Sequence, residues 1–328
     1  MTVVVLLLAS CAPARPDATD TSGASSDTSD TSDTSDTSPG DTDDFPAPVP
    51  DDCVTDVTAG LHTYTCEERT YVVNVPAACL TAACGLIVDV HGMTMDAAME
   101  DANTEMRALG EANGYIVVQP NAEAAAPWSA WSTADDALVL DIMDRVAAAF
   151  HTDPDRLHVT GFSQGGAMSW RFLCDHAERF ASVAPAAACW DYDGSATTEC
   201  DFTGDQMPST RVPILYVHGT RDAVVDYACA PPKVEAIRDV WDLDTEEVLS
   251  TDDAHTWTRY TGTDGAVLEF ITHDYTARST LLVGHCVPGS DDVDGGEPGQ
   301  LFGFGCQEPA PFVWGEAVMR FFLDHPRR

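Results

Sequence analysis

Gly161-Phe162-Ser163-Gln164-Gly165 sets a serine between two glycines, where an apolar run over residues 156–161 meets an amphipathic segment continuing to His176. A hydroxyl is a poor nucleophile at neutral pH. Chemistry at Ser163 therefore calls for a neutral imidazole to take its proton and a carboxylate to orient that imidazole. Glycines two before and two after the serine let a strand turn sharply into a helix with Oγ at the tip. Two later segments hold the partners. Asp222 ends Gly219-Thr220-Arg221-Asp222 after the apolar run 213–218, and His285 lies in Gly284-His285-Cys286-Val287-Pro288-Gly289 after the run 279–283. Asp226 is a rival acid, and His255 and His273 are rival bases. Asp222 is preferred for its short loop and His285 for its glycine-proline loop, so the expected catalytic set is Ser163, Asp222 and His285.

Attack on a carbonyl creates an oxyanion that needs donors. One expected donor is the N–H of Gln164, presented at a helix N-terminus. The other is the N–H of Met93, in the loop His91-Gly92-Met93 after the run 85–90, with His91 shaping the loop rather than acting as base. Trp128, Trp131 and Trp190 fall in loops expected to border the pocket, and Met95 is expected on its acyl side. Aromatic rings there would suit a phenolic acid or an aliphatic polyester, and they are equally at home as packing residues. The acidic stretch Asp291, Asp292, Asp294 and Glu297 fits no complete calcium loop and reads as solvated. No Cys/His cluster has zinc spacing, so no metal is expected.

Positioning these groups takes a sheet. Strand-length apolar runs at 70–75, 85–90, 115–119, 156–160, 182–186, 213–218, 266–272 and 279–283 alternate with helical periodicity at 96–112, 135–150, 164–176, 232–241 and 312–325. That alternation predicts an α/β domain with a mostly parallel central sheet flanked by helices. In such a sheet, functional side chains gather in loops beyond the carboxyl ends of the strands, where the three chemical segments fall.

The first fifty residues are of another kind. Residues 1–11, MTVVVLLLASC, join an apolar run too short to span a bilayer to Leu8-Ala9-Ser10-Cys11, which resembles a bacterial lipobox. Cys11 is then the lipid-bearing residue, although no Lys or Arg precedes the run. A removed secretory signal is the alternative. Residues 12–50, rich in Asp, Ser, Thr and Pro, have little to bury and read as a disordered tether. This leaves 51–328 as a single catalytic domain. The chain carries 54 acidic and 16 basic residues, and residues 1–52 account for only 11 Asp and one Arg, so 43 acids face 15 bases downstream. Such a surface repels nucleic acid and anionic lipid. Of the 11 cysteines, ten remain beside Cys11, an even number suited to disulfides in an exported protein. Proximity pairs Cys53 with Cys66, Cys79 with Cys84, Cys189 with Cys200 and Cys286 with Cys306, leaving Cys174 for Cys229.

With these residues placed, 70–328 resembles the extracellular polyhydroxybutyrate depolymerase and feruloyl esterase group of α/β-hydrolases. The resemblance is carried by VDVHGMTMDAAMEDANTEMRALGEANGYIVVQPNA (88–122), TDPDRLHVTGFSQGGAMSWRFLC (152–174), VPILYVHGTRDAVVDY (212–227), GHCVPG (284–289) and the terminal EAVMRFFLDHP. Ser163, Asp222 and His285 follow that fold's order of nucleophile, acid and base. The resemblance implies an α/β-hydrolase fold and cofactor-free hydrolysis of a polyester or plant cell-wall ester through an acyl-serine. The expected protein is an extracytoplasmic monomer that meets a membrane only through lipid on Cys11. Two positions depart from the family: Val287 stands where a Trp is common, and Phe162 precedes Ser163 where some feruloyl esterases place a cysteine bonded to one beside the histidine. The alternative of a different class is a catalytically inactive hydrolase-fold module used for surface binding.

Overall fold

A computed structural model describes residues 45–327 except 68, 126–127, 190–201, 203–206 and 293–302, with backbone alone at 124, 125 and 128. The chain divides into residues 1–44 and 45–328, and the described residues belong to the second unit. The expected signal segment, Cys11 and most of the linker lie outside the described residues. In chain order the elements begin with β1 (Gly60–Cys66), β2 (Arg69–Val75), β3 (Gly85–Val90), α1 (Ala97–Thr104), α2 (Met106–Asn113), β4 (Tyr115–Pro120), β5 (Ala124–Ala125), β6 (Trp128–Ser129) and α3 (Asp136–Phe150). They continue with β7 (Leu157–Phe162), α4 (Gln164–His176), β8 (Ser182–Ala186), β9 (Ile214–Gly219), α5 (Ala230–Trp241), β10 (Thr245–Thr251), β11 (His255–Thr261), β12 (Val267–His273) and α6 (Trp314–Asp324).

Ten strands form one sheet in the order β1-β2-β4-β3-β7-β8-β9-β12-β11-β10. The six from β4 to β12 run parallel, and the two outer strands on each side join by antiparallel pairing. Both faces are covered. Leu86, Val88 and Val90 of β3 join a core with Val146 of α3, Phe172 of α4 and Ile237 of α5, whereas Ile87 joins a second core with Met99, Met106 and Phe322 from α1, α2 and α6. Two-sided burial is what makes the central strands read as mostly apolar runs. Among the described residues no helix is long and apolar enough to cross a membrane.

Four features differ from expectation. The helix expected at 96–112 is two helices, broken where Glu105 takes a left-handed φ of 53°. Strands β1, β10 and β11 were not anticipated, because they lie at the margins and lack a continuous apolar run. β10 is exposed along most of its length, carries Glu246 and Glu247, and bulges between Val248 and Ser250. Residues 279–283 are a turn rather than a strand. The N–H groups of Leu282 and Val283 both bond Ser279 O, and β12 already occupies the place beside β9. Finally, Cys53–Cys66, Cys79–Cys84 and Cys286–Cys306 pair as expected, but Cys189 bonds Cys229, overturning the pairings 189–200 and 174–229. The reason is spatial: β8 and β9 are neighbours, so the segments leaving them meet.

Candidate active site

Five adjacent parallel strands, β3, β7, β8, β9 and β12, deliver their carboxyl ends to one rim. Ser163 leaves β7 with φ 55° and ψ −114° and begins α4, its N–H held by Ala186 O at 2.9 Å. The serine makes no side-chain capping bond, so Oγ is not spent on the helix. This turn demands glycine around it. A Cβ on Gly165 would lie 1.8 Å from Val90 O, and one on Gly161 would lie 2.6 Å from the same atom.

Asp222 follows β9 by three residues and is buried. Its Oδ1 accepts the N–H groups of Val224 and Val225, each at 2.8 Å, and its Oδ2 lies 2.7 Å from His285 Nδ1. Burial pushes the carboxyl up, but His285, Val225 N–H and the nearby His218 outweigh it and hold Asp222 below its ordinary value. An ionised carboxylate only accepts, so His285 Nδ1 carries the proton and Nε2 is left to accept one. The histidine does not sit at a strand end as expected. It sits twelve residues beyond β12, in a loop laid against the acid loop through a bridge between Asp222 and Val283 and a bond from Gly284 N to Arg221 O at 3.2 Å. Phe162, which takes the place of the cysteine that the family resemblance implies, packs its ring 4.7 Å from the His285 ring. The aromatic support for the imidazole comes from the residue before the nucleophile, a role the sequence reading missed.

The rival groups are occupied elsewhere. Asp226 accepts Ala228 N–H and caps a short turn. His255 meets Ser250 and Asp252 on the antiparallel margin, and His273 is buried and stacked on Tyr275.

The loop after β3 lies against the elbow, since a Cβ on Gly92 would be 3.2 Å from Ser163 Cβ. Buried His91 has Nδ1 2.7 Å from Gly92 O and Nε2 3.1 Å from Ala122 N. Both ring nitrogens are therefore spent on the loop, and burial brings His91 down to about 4. Among the described residues, the N–H groups of Met93 and Gln164 meet no backbone acceptor, and both residues border a cleft with Ser163. The expected pocket residues divide. Met93 is 43 % exposed at the rim, but Met95 is 1 % exposed and packs in the core. Trp131 is also buried. Its Nε1–H donates to His91 O at 2.7 Å and its backbone N–H to Gln164 Oε1 at 3.0 Å, so it braces the loop rather than lining the cleft. Trp128 falls in β6 with its side chain undescribed, and Trp190 lies outside the described residues. The cleft walls that periodicity did not reveal are Ala167, Ala188, Cys189, Val224 and Val225.

Two groups of metal-ligand type occur among the described residues, Cys189/His218/Cys229 and His273/Cys286/Cys306, and in each the two cysteines are bonded to one another. A disulfide sulfur is not the thiolate that binds a metal. In the acidic stretch, Asp292 accepts Asn103 Nδ2–H at 3.2 Å, and Asp294 and Glu297 lie outside the described residues.

The sequence model of the prolyl oligopeptidase family matches residues 103–212, a segment that includes the elbow but neither Asp222 nor His285. The chain is 29 % identical over 143 residues to a bifunctional acetylxylan esterase/xylanase of Neocallimastix patriciarum, covering 43 % of this chain and 20 % of that protein. It is 31 % identical over 125 residues to a probable feruloyl esterase C of Aspergillus niger, covering 38 % of this chain and 40 % of that protein. The chain thus spans less than half the length of these relatives. Among solved structures, an acetyl xylan esterase from Aspergillus awamori superposes with a TM-score of 0.54 at 16 % identity, over 65 % of this chain and 93 % of that one. The fold is that of an α/β-hydrolase, and the likeness in sequence is to esterases of that fold, feruloyl esterases included.

Proposed function

We propose that this chain is a serine carboxylic-ester hydrolase. The observation that carries the reading is the Asp222–His285 pair at 2.7 Å, on the same rim as a serine held in a left-handed elbow. In the reaction, Ser163 Oγ attacks the ester carbonyl as its proton passes to His285 Nε2. The N–H groups of Met93 and Gln164 hold the oxyanion. The carbon–oxygen bond to the alcohol breaks, and the alcohol leaves with the proton from His285. Water then attacks the acyl-serine, His285 takes the water's proton, and the bond to Oγ breaks as Ser163 recovers it. Every proton and electron pair comes from the chain, the ester or water.

The substrate class is a plant cell-wall ester or an aliphatic polyester, met outside the cytoplasm by a chain tethered through lipid at Cys11 or released from its signal. All nine cysteines among the described residues are disulfide-bonded, which suits an oxidising compartment. The match to the prolyl oligopeptidase family supports a second reading, a peptidase, and an inactive binding module is a third.

Labelling with a fluorophosphonate, lost in Ser163→Ala, tests the nucleophile; a folded native chain that takes no label would favour the inactive module. Turnover of p-nitrophenyl acetate, methyl ferulate, amorphous poly(3-hydroxybutyrate) and a prolyl p-nitroanilide then sorts the classes. Ester cleavage without anilide cleavage is expected, and the reverse pattern would install the peptidase.

A further inference from the structure

The cleft beside Ser163 holds about 130 Å³ and is walled by Met93, Gln164, Ala167, Ala188, Cys189, Val224 and Val225. His285 does not border it. A leaving alcohol must stay beside the imidazole that protonates it, so the part of an ester that enters this cleft is the acyl group. Among the described residues the walls carry no charge and no ring. Their one polar side chain besides the nucleophile, Gln164, has its Oε1 committed to Trp131 N–H. A space of this size is a little below the roughly 150 Å³ cavity that holds a single benzene ring.

Two ties fix the part of the wall made by Val224 and Val225. The first is the Cys189–Cys229 disulfide, which joins the exit of β8 to the end of the segment carrying Asp222, Val224 and Val225. The second is His218, fully buried at the end of β9, with Nε2 2.9 Å from Val225 O and Nδ1 2.7 Å from Tyr216 Oη. A carbonyl only accepts, so Nε2 carries the proton and Nδ1 accepts from the phenol. Burial keeps this imidazole below its ordinary value, against the pull of Val225 O and Asp222. The ties meet at one place, since Cys189 Sγ lies 3.2 Å from Tyr216 Oη and 3.7 Å from His218 Nδ1. His218 Nε2 is also 3.6 Å from Asp222 Oδ2, so the same histidine reaches both the wall and the acid.

Resting on the serine-esterase reading above, we propose that the Cys189–Cys229 disulfide and His218 hold Val224 and Val225 as a fixed end wall that sets acyl length. The wall admits short unbranched aliphatic acyl groups and turns away longer or aromatic ones. Cys189, His218, Val224 and Val225 are then specificity residues that touch or position the acyl chain without taking part in bond breaking.

The test is kcat/KM for p-nitrophenyl acetate, butyrate, hexanoate and octanoate and for methyl ferulate. It is made on the full chain and on Val225→Ala, His218→Asn and the double variant Cys189→Ala/Cys229→Ala. One methylene in an apolar pocket is worth at least about tenfold. The native chain should therefore peak between acetate and butyrate and fall by at least that factor at octanoate and ferulate. Val225→Ala should raise the octanoate-to-acetate ratio about tenfold, with Ser163 still labelled by fluorophosphonate, and His218→Asn should broaden the profile. The disulfide-free variant should broaden it too; if it does not fold, the other two variants decide. Octanoate or ferulate turned over as fast as butyrate by the native chain, or a profile that neither single variant moves, overturns the proposal. Absence of labelling in the native chain would instead overturn the esterase reading beneath it.

Discussion

Asp222 divides its two oxygens between backbone and imidazole, and this makes asparagine an informative replacement. The amide oxygen of Asp222→Asn would keep the Val224 and Val225 N–H groups, and its amide N–H would turn towards His285 Nδ1. The imidazole proton would then move to Nε2, where it blocks removal of the serine proton. Asp222→Asn should retain the native melting temperature within a few degrees and lose about 10⁴-fold in kcat; steady-state kinetics with calorimetry checks both. A second buried pair acts on stability. Asp89 is pushed up to about 6 by burial, against hydrogen bonds from Gln119 and Thr104. Burial and the nearby Asp89 raise Glu100 well above its ordinary value, with Asp101 adding to the push. Arg107, from α2, pulls Asp89 the other way. A carboxyl with a raised folded value keeps its proton longer in the folded chain than in the unfolded one. The contribution of this pair to stability is therefore greatest below about pH 4 and falls as pH rises through each folded value. Glu100→Gln should flatten that slope, giving a higher urea midpoint than native at pH 8–9 and a smaller difference at pH 5; equal slopes from pH 5 to 9 would refute it. At this scale, the sequence singled out Ser163, Asp222 and His285 because each motif couples a reactive group to a glycine turn. Met95 and Trp131 pack behind the cleft, and residue type cannot tell a pocket wall from the layer behind it.

Among the elements, the β7–α4 junction is tightly packed. Its glycines leave no room because the backbone of β3 crosses directly against them, and a backbone carbonyl cannot rotate away as a side chain can. Gly165→Ala should cost on the order of 3 kcal/mol or prevent folding, read from the urea midpoint. A change under about 0.5 kcal/mol would show that the crossing is looser than described. The parallel strands were legible for a physical reason: both faces are buried, so their sequences are mostly apolar, with single polar residues such as Asp89, His158, His218 and Glu269. β1, β10 and β11 alternate or are largely exposed, and their signal fades into that of loops. The run at 279–283 failed in the opposite sense. Leu281 is apolar yet 67 % exposed, so composition suggested a strand where β9 and β12 are each already flanked on both sides. Disulfide partners were legible only where the chain returns locally. Cys189 and Cys229 are 40 residues apart, and only the adjacency of β8 and β9 brings them together.

For the molecule as a whole, charge is the governing quantity. With 43 acids against 15 bases after residue 52, mutual repulsion acts against compaction. Raising salt from 0.1 to 1 M shortens the screening length from roughly 10 Å to roughly 3 Å. The melting temperature should accordingly rise by a few degrees across that range, measured by calorimetry; a fall would mean that attractive pairs outweigh the repulsion. The acidic excess was plain in the sequence, but its placement was not, and β10 shows why placement counts. Among the described residues, that strand leaves hydrogen-bonding groups open along the sheet's last margin, with Glu246 and Glu247 standing beside them. When two copies meet sidelong, glutamate confronts glutamate before the backbones can zip together. Crowded molecules can then jostle without growing fibrils.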